Sequence, residues 1–434
     1  MDLGKYSIEA LGQATMDNPI GRQCTPKYIT DEDCISYDPY MSEFKKVMST
    51  GKLPEAFETA GPRKKIFFNP SRTKVAIVTC GGLCPGLNAV VRGIVMELWH
   101  RYGCQNIVGV PYGYQGLGAN AKTEFMVLKP DIVKNIHEEG GTFLGSSRGV
   151  PPVSEMVDVL ERFNINILFT LGGDGTMRGA NEIWQEVKKR NLKIAIVGIP
   201  KTIDNDIMCV RRSFGFDSAV ERAADAIYAA NIEAEGAING IGLVKLMGRD
   251  SGFIAATVTL ATGHVNFCLI PEVQFRFEGA NGLLELLKKR IEARGHAVVV
   301  VAEGAGQDLF VAHKGEKDAS GNAKFEDIGL MLKDKITKYF KEINLPVSLK
   351  YIDPSYIIRA NPPNPADKLL CARFAQNAVH AAMCGKTGML IGSWHGTLTH
   401  VPFTAVIGQK QKVNPNGEMW FNVLETTGQP AKIG

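Results

Sequence analysis

Two strand-like apolar runs, each ending in a motif of glycine and aspartate, constrain the fold of this chain more than any other feature. Residues 165–171 read INILFTL and lead into GGDGT at 172–176, and residues 194–199 read IAIVGI and lead into PKTIDND at 200–206. Runs that are apolar at nearly every position are typical of parallel strands buried on both faces. Because open α/β sheets bind ligands at the carboxyl ends of such strands, both motifs are predicted to lie at a ligand-binding edge.

Strand-like runs and helical segments alternate along the chain from residue 74 onward. Further strands are predicted over residues 75–79, 240–246 and 297–302. Helices are predicted over residues 89–98, 218–235, 283–293 and 374–383. Residues 304–325 are polar and rich in glycine, which predicts a mobile loop. Repeated strand–helix units predict an α/β fold with largely parallel sheets flanked by helices.

The length of the chain favours more than one lobe. At 434 residues it can bury two or three cores, which excludes a single small module. We therefore predict two lobes, each a largely parallel sheet flanked by helices, together with an N-terminal extension. The predicted parts are residues 1–72 for the extension, 73–215 completed by about 365–400 for the first lobe, and 216–364 completed by about 401–434 for the second lobe.

Charge and cysteine content exclude several classes of function. The 49 Lys and Arg residues are interspersed with 45 Asp and Glu residues, so the net charge of +4 forms no broad basic field for nucleic acid. No apolar run approaches the roughly 18 residues of a membrane-spanning helix. The nine cysteines lack the spacing of zinc ligands and are expected to be reduced thiols. These features predict a cytoplasmic protein without a nucleic-acid or membrane partner.

Two glycine-rich turns are candidates for binding an anion. Residues 81–88 (GGLCPGLN) join a strand to a helix, so backbone N–H groups and the helix amino terminus could hold a phosphate. The alternative is a tight connection, because the spacing fits neither a dinucleotide fingerprint nor a P-loop. Arg148, in residues 145–149 (GSSRG), could reach phosphate through its guanidinium or could be a solvated loop side chain.

The two motifs that contain aspartate supply the parts that phosphoryl transfer needs. Glycines in residues 172–176 let backbone amides approach phosphate oxygens, and Asp174 can hold Mg²⁺. Asp204 and Asp206, two residues apart in a polar run, suit proton transfer from a hydroxyl and a second metal contact. The alternative interpretations are a structural turn for the first motif and an Asx-rich turn for the second.

Six segments of the chain together resemble the 6-phosphofructokinase family. In chain order they are residues 81–88, 145–149, 172–176, 200–206, 247–249 (MGR) and 302–304 (AEG), with residues 356–359 (YIIR) as a seventh match. Kinases of several kinds share GGDGT, but the joint occurrence of these segments in this order is not expected by chance. The chain is most similar to the longer ATP-dependent branch that is related by sequence to pyrophosphate-dependent enzymes.

The resemblance implies a reaction and a role for individual residues. The reaction is Mg²⁺-dependent transfer of the γ-phosphoryl group of ATP to the C1 hydroxyl of fructose 6-phosphate, a step of glycolysis. Asp204 would be the base and Asp174 the metal ligand. The implied catalytic residues are Asp204, Lys201, Arg148 and Asp206. ATP would bind at Gly82, Arg148, Gly149, Gly173, Asp174, Gly175 and Thr176. Fructose 6-phosphate would bind at Thr202, Ile203, Asp204, Met247, Gly248, Arg249, Glu303, Tyr356, Arg359 and Lys368.

The chain departs from the short bacterial members of the family at the phosphate of the sugar. Gly240 stands seven residues before Met247, where those enzymes carry an arginine that contacts this phosphate, often across a subunit interface. The resemblance therefore implies a 6-phosphate site that is built differently. Lys368, nine residues after Arg359 and in place of another family arginine, is expected to contribute.

Two positions bear on the phosphoryl donor. Pyrophosphate-dependent members typically carry Asp where this chain has Gly175, and Lys where ATP-dependent members usually have glycine at position 201. This chain combines Gly175 with Lys201. A carboxylate at position 175 would occupy and repel the space of an α-phosphate, whereas glycine leaves it open. Gly175 therefore favours ATP, and Lys201 is compatible with either donor.

Three alternative functions stay open beside the ATP-dependent enzyme. The nearest is a pyrophosphate-dependent phosphofructokinase. A lipid or NAD kinase would share residues 172–176 but would not need residues 247–249 or 356–359. A non-catalytic, nucleotide-sensing regulatory subunit is opposed by the intact Asp174 and Asp204. The family further implies an allosteric homotetramer, with a dimer as the alternative.

Overall fold

The computed structural model of the chain describes residues 4–23, 25–119, 121, 124–147, 149–310 and 325–434. The chain divides into two compact units. The first unit is made of Met1–Thr202, Ile207–Gly215 and Asn361–Gln409. The second unit is made of Ile203–Asp206, Phe216–Ala360 and Lys410–Gly434. The short segment Ile203–Asp206 thus belongs to the second unit, whereas we predicted it with the first lobe.

The secondary structure alternates strands with helices through most of the chain. The strands are β1 (Glu9–Ala10), β2 (Met16–Asp17), β3 (Cys34–Ser36), β4 (Ala56–Glu58), β5 (Lys65–Ile66), β6 (Lys74–Thr79), β7 (Asn106–Val110), β8 (Met126–Val127), β9 (Ile167–Gly172), β10 (Ala195–Pro200), β11 (Gly240–Leu246), β12 (Phe267–Leu269), β13 (His296–Ala302), β14 (Ser348–Ile352), β15 (Lys386–Thr387), β16 (Met389–Trp394) and β17 (Thr397–Pro402). The helices are α1 (Met41–Met48), α2 (Leu87–Met96), α3 (Pro130–Val133), α4 (Val153–Arg162), α5 (Asp174–Lys189), α6 (Phe216–Glu235), α7 (Phe253–Thr262), α8 (Leu283–Arg294), α9 (Ile328–Glu342), α10 (Pro365–Met383) and α11 (Glu418–Thr427).

The first unit is built on a seven-stranded sheet in the order β17-β16-β10-β9-β6-β7-β8. The five central strands run parallel, and β17 and β8 are antiparallel at the two edges. Every residue of β9 and β10 is buried, as expected for strands covered on both faces. The register pairs Thr79 with Leu171 and Gly172 with Pro200, so the carboxyl ends of β6, β9 and β10 lie side by side.

The second unit is built on a four-stranded, fully parallel sheet in the order β12-β13-β11-β14. Its core joins apolar strand residues such as Leu243 and Val299 to Phe340 of α9 and Leu287 of α8. Leu246 at the end of β11 pairs with Ala302 at the end of β13. The segments that follow these two strands therefore start at the same edge of the sheet.

Residues 4–72, which we predicted as an extension, belong to the first unit. β1 pairs with β15, and a bridge links Thr59 to Thr399 of β17. Glu58 is buried, where its carboxylate lies 2.9 Å from Nδ1 of His400 and 2.9 Å from Nζ of Lys386. Burial disfavours the carboxylate, but His400, Lys386 and Arg63 together lower the pKa of Glu58 to about 2. Ion pairs thus fasten this segment to the first unit.

Most predicted elements have close counterparts in the structure. β11 has the predicted bounds, and β13 and α6 begin one and two residues earlier than predicted. α10 begins much earlier, at Pro365, because the Asn364 side chain caps it by accepting a bond from the N–H of Asp367. Of the predicted loop, residues 311–324 lie outside the described residues. No helix in the described ranges is long and apolar enough to span a membrane, and every cysteine described is a free thiol.

Candidate active site

The GGDGT motif forms the turn from β9 into α5. Gly172 ends the strand, and a Cβ atom there would lie 2.0 Å from the hydroxyl oxygen of Thr176, so only glycine fits the turn as it stands. Thr176 is buried and its N–H donates to the Gly173 carbonyl at 3.0 Å. α5 begins at Asp174, so the amino terminus of a helix of 16 residues lies at the edge of the sheet. Such a terminus is suited to bind phosphate.

Gly175 lies in the first turn of α5, and the space beside it is open. Apart from the adjoining residues and the backbone of α5 itself, no described atom lies within 4 Å of a Cβ atom built at this position. A side chain would therefore occupy open space next to the helix terminus. A carboxylate there would add negative charge where the terminus otherwise attracts an anion.

Lys201 joins the second motif to the glycine-rich turn that follows β6. Its side chain is buried, and its ammonium donates to the Gly82 carbonyl at 2.7 Å. Gly81 has a φ of 81°, in the left-handed region that favours glycine, and its carbonyl accepts from the Ser146 hydroxyl at 2.5 Å. The structure therefore brings three predicted segments together at one edge of the first sheet.

The segment of residues 145–149 is described except for Arg148, which lies outside the described residues. Gly149 has a φ of 100°, again in the left-handed region. The Ser147 hydroxyl donates to the Tyr112 carbonyl at 2.5 Å. The described part of the segment is thus tied to the turn after β7.

Asp174 offers one carboxylate for a magnesium ion. Its side chain is 25% exposed and forms an ion pair with Arg178, one helical turn along α5, at 3.0 Å. Within the described ranges there is no cluster of three or more His, Cys, Asp or Glu that could hold a metal by itself. Mg²⁺ in nucleotide sites is usually bound by one or two carboxylates together with phosphates and water. A single accessible carboxylate beside a phosphate site fits an ion that binds together with a nucleotide.

Asp204 and Asp206 lie in the second unit as part of an acidic group. Burial, followed by the negative charges of Asp206 and Glu303, raises the pKa of Asp204 to about 8. Burial also raises the pKa of Asp206, against the effect of Lys410, whose Nζ lies 3.3 Å from Oδ2 of Asp206. The same ammonium pairs with Asp250. A carboxylate whose pKa is raised toward neutrality is suited to accept a proton from a hydroxyl.

Residues 247–249 and Glu303 follow the neighbouring strands β11 and β13. The Gly304 N–H donates to the Gly248 carbonyl at 3.1 Å. A Cβ atom at Gly304 would lie 1.8 Å from the carbonyl oxygen of Arg249, so the two backbones are in direct contact. The structure thus places the MGR and AEG segments against each other at the edge of the second sheet.

Tyr356 and Arg359 lie in and just after a short 3₁₀ turn, Ser355–Ile358, that follows β14. The guanidinium carbon of Arg359 is 4.7 Å from the centre of the Tyr356 ring, which is itself exposed. Nε of Arg359 is buried and has no hydrogen-bond partner among the described residues. Burial raises the pKa of Glu303, whereas Arg249, Lys245 and Arg359 lower it, so cations surround this carboxylate. A buried donor without a partner is suited to an anionic ligand.

The other predicted substrate residues are divided between the units. Thr202 lies in the first unit, and its carbonyl accepts from the Ser213 hydroxyl at 2.7 Å. Ile203 lies in the second unit, where its side chain is buried. Lys368 lies on α10 in the first unit, and its ammonium donates to Glu138 at 2.7 Å. Arg249 and Arg359 belong to the second unit, so a role for Lys368 beside them stays a prediction.

Comparison with known proteins assigns the chain to a family. A family profile described as Phosphofructokinase matches residues 74–382. The chain belongs to the phosphofructokinase family. A phosphofructokinase of Borreliella burgdorferi, named ATP-dependent 6-phosphofructokinase, is 52% identical over 99% of this chain and 97% of the relative. A relative of the same name from Amycolatopsis methanolica is 43% identical over 100% of this chain and 97% of the relative.

Solved phosphofructokinase structures share the fold. The crystal structure of a pyrophosphate-dependent phosphofructokinase from Marinobacter aquaeolei covers 82% of this chain and 91% of that chain, with a TM-score of 0.67. The two sequences are 19% identical, so this likeness shows the common fold alone. The α/β class predicted from the sequence is thereby confirmed.

The structure explains why a phosphofructokinase of this kind carries Gly240. The residue begins β11, and a Cβ atom there would lie 2.0 Å from the Ala234 carbonyl of α6. Gly242 is similarly close to the carbonyl of Ala230. β11 therefore packs directly against the backbone of α6, and an arginine at position 240 would require the helix to move.

Sequence reasoning missed two lysines that the structure places beside the acidic residues of this phosphofructokinase. Lys410 lies in a polar run, residues 409–412, that carries no motif, so no local signal pointed to it. Lys245 is different, because it is the one charged residue of the apolar strand β11. A single charged residue inside an apolar strand indicates a side chain with specific partners, so the sequence did contain a signal for Lys245.

Proposed function

We propose that this chain is an ATP-dependent 6-phosphofructokinase, which transfers the γ-phosphoryl group of ATP to the C1 hydroxyl of fructose 6-phosphate. The observation that carries the proposal is the carboxyl group of Asp204, whose pKa burial and neighbouring carboxylates raise to about 8. Arg249 and Arg359, near Glu303 in the same unit, are suited to hold the sugar phosphate. The products are fructose 1,6-bisphosphate and ADP.

The proposed reaction begins with Asp204 in its ionised form. Asp204 takes the proton of the C1 hydroxyl, and the resulting oxygen forms the new bond to the γ-phosphorus. The bond between that phosphorus and the β,γ-bridging oxygen breaks, and ADP leaves with the electron pair. Lys201 and Arg148 neutralise charge on the transferring group, and Asp206 with Lys410 sets the charge around the base.

The nucleotide is proposed to bind at the edge of the first sheet. Backbone groups around Gly173 and the amino terminus of α5 hold phosphate oxygens, and Asp174 would hold Mg²⁺, which when bound neutralises charge on the β- and γ-phosphates. The proposed ATP-binding residues are Gly82, Arg148, Gly149, Gly173, Asp174, Gly175 and Thr176. The first unit, which replaces the predicted lobe of residues 73–215 completed by about 365–400, is accordingly the proposed nucleotide-binding unit.

The sugar phosphate is proposed to bind mainly in the second unit, which replaces the predicted lobe of residues 216–364 completed by about 401–434. Arg249, Glu303, Tyr356 and Arg359 supply the polar side chains that follow its strands. The further proposed contacts are Thr202, Ile203, Asp204, Met247, Gly248 and Lys368.

A second candidate is transfer from pyrophosphate to the same sugar. The buried Lys201 favours it, because its ammonium could serve a small donor as well as ATP. The deciding experiment supplies the purified protein with fructose 6-phosphate, Mg²⁺ and either ATP or pyrophosphate. We expect turnover with ATP. Product formed from pyrophosphate in the absence of ATP would replace our assignment, and no turnover with either donor would favour a regulatory subunit.

The assembly and location follow the family. We propose an allosteric homotetramer in the cytoplasm, with a dimer as the alternative. Light scattering during gel filtration tests the assembly directly, since the tetramer has four times the mass of one chain and the dimer has twice that mass. Omitting Mg²⁺ and adding a chelator should abolish turnover if the ion is required.

A further inference from the structure

A partly buried lysine side chain lies near the end of the apolar strand β11. Lys245 is the residue before the last of this strand, and its side chain is only 15% exposed. Its Nζ lies 2.7 Å from Oδ2 of Asp353 and 2.8 Å from Oδ2 of Asp327. An ammonium that is largely withdrawn from water is stabilised by such partners, and both carboxylates here lie within ion-pair distance of it.

Asp353 connects Lys245 to the turn that carries Tyr356 and Arg359. Val244 of β11 pairs with Ile352, the last residue of β14, which places Lys245 beside Asp353. Oδ1 of Asp353 accepts from the N–H of Ser355 at 3.1 Å and from its hydroxyl at 2.6 Å.

Ser355 has a φ of 34°, a left-handed conformation that a serine adopts only when its surroundings hold it. Both oxygens of Asp353 are therefore in use, one on Lys245 and the other on the strained first residue of the turn. Loss of the Lys245 ammonium would leave Oδ2 of Asp353 without this ion pair, while Oδ1 would still accept from Ser355.

Asp327 connects Lys245 to the start of α9. Its Oδ1 caps the helix by accepting from the N–H of Leu330 at 3.1 Å. Ile328 and Ile336 of the same helix pack in the core of the second unit. The one ammonium group thus ties together β11, the start of α9 and the turn after β14.

We propose that Lys245 is a positioning residue of the sugar-phosphate site, which holds the turn bearing Tyr356 and Arg359 in place relative to residues 247–249 and Glu303. Residues 247–249 begin two residues after Lys245, where β11 ends, and the N–H of Glu303 donates to the Leu246 carbonyl at 2.9 Å. Lys245 also acts electrostatically on Glu303. The inference rests on the proposed function, because it assigns these segments to fructose 6-phosphate.

The test replaces Lys245 with Met, which keeps the length of the side chain and removes its charge. The two carboxylates then repel each other and the turn shifts. A displacement of about 1 Å can cost 10²-fold in rate, so we expect the KM for fructose 6-phosphate to rise about tenfold or more. The KM for ATP should stay within about twofold, because the turn lies in the second unit. Lys245→Arg should recover most of the loss.

Asp353→Asn and the double variant test the same interaction from the side of the carboxylate. Asp353→Asn keeps an oxygen for Ser355 but removes the charge, and it should reproduce the rise in KM if Lys245→Met does not fold. In the double variant the two effects should not add, because both changes break one interaction. The matched control is Lys338→Met on α9, a 76% exposed lysine whose ammonium lies 3.9 Å from the Glu342 carboxylate, and this variant should change neither KM.

Specific outcomes would overturn the inference. A KM for fructose 6-phosphate within about twofold of wild type in both Lys245→Met and Asp353→Asn removes the positioning role. So does an equal rise in both KM values accompanied by a lower melting temperature, which indicates a general structural role. A wild-type protein without turnover refutes the proposed function itself, whereas an active wild type with unaffected variants refutes only the role of Lys245.

Discussion

The two units differ in the groups that form their proposed binding sites. At the first sheet the predicted phosphate site is mostly backbone, formed by glycine turns and a helix terminus, and the buried Lys201 bonds to a carbonyl oxygen. In the second unit, side chains dominate: Asp204, Asp206 and Glu303 gather near Lys410 and the arginines. The first site should therefore be sensitive to added volume and charge, and the second to changes in the balance of existing charges.

The largest expected effect is on the proposed base. Asp204→Asn keeps the shape of the side chain but cannot accept the proton, so kcat at saturating ATP and fructose 6-phosphate should fall by about 10²- to 10⁴-fold. Asp225→Asn on α6, at a side chain 66% exposed, is the control and should leave kcat unchanged. A fall of less than about tenfold for Asp204→Asn would contradict the assignment.

A pH profile tests the electrostatics of the second unit. Asp204 acts as a base only when ionised, and its pKa of about 8 means that the ionised fraction decreases as the pH falls below that value. About half of the Asp204 carboxyl groups are ionised at pH 8 and about 1% at pH 6, so kcat/KM should fall about fiftyfold between these two pH values. A flat profile over this range would show that the charges around Asp204 do not control the reaction.

Two substitutions of Gly175 distinguish the effect of added charge from the effect of added volume at the edge of the first sheet. Gly175→Asp places a carboxylate in the open space beside the terminus of α5, so kcat/KM for ATP should fall about tenfold or more. Gly175→Ala adds only a methyl group and should cost about twofold or less. Unchanged use of ATP by Gly175→Asp would refute the steric account of donor choice.

The smallest expected effect concerns Lys368. If it contributes to the 6-phosphate site, Lys368→Met should raise the KM for fructose 6-phosphate about threefold, with a change in unfolding free energy below about 1 kcal/mol because its pair with Glu138 is half-exposed. Glu138→Gln breaks the same pair but keeps the cation. Equal effects of the two variants would mean that the pair matters and that Lys368 does not bind phosphate.

Short-range patterns predicted a large part of the fold and of the first site. β9 and β10 could be predicted because strands buried on both faces are apolar throughout. The turn after β9 could be predicted because only glycine fits at position 172. Only some of the residues around Asp204 could be predicted from the sequence. Lys410 comes from a distant part of the chain and carries no local pattern.

The sequence alone determined the α/β class, the resemblance to phosphofructokinases and the preference for ATP. Each of these depends on neighbouring residues or on a single side chain, as at Gly175. Only the tertiary structure decided that residues 203–206 join the second unit, that residues 4–72 are held by the ion pairs of Glu58, and that Lys245 lies between two carboxylates. The physical reason is that burial and charge–charge interactions depend on distance in space, and contacts between remote segments leave no periodicity in the chain.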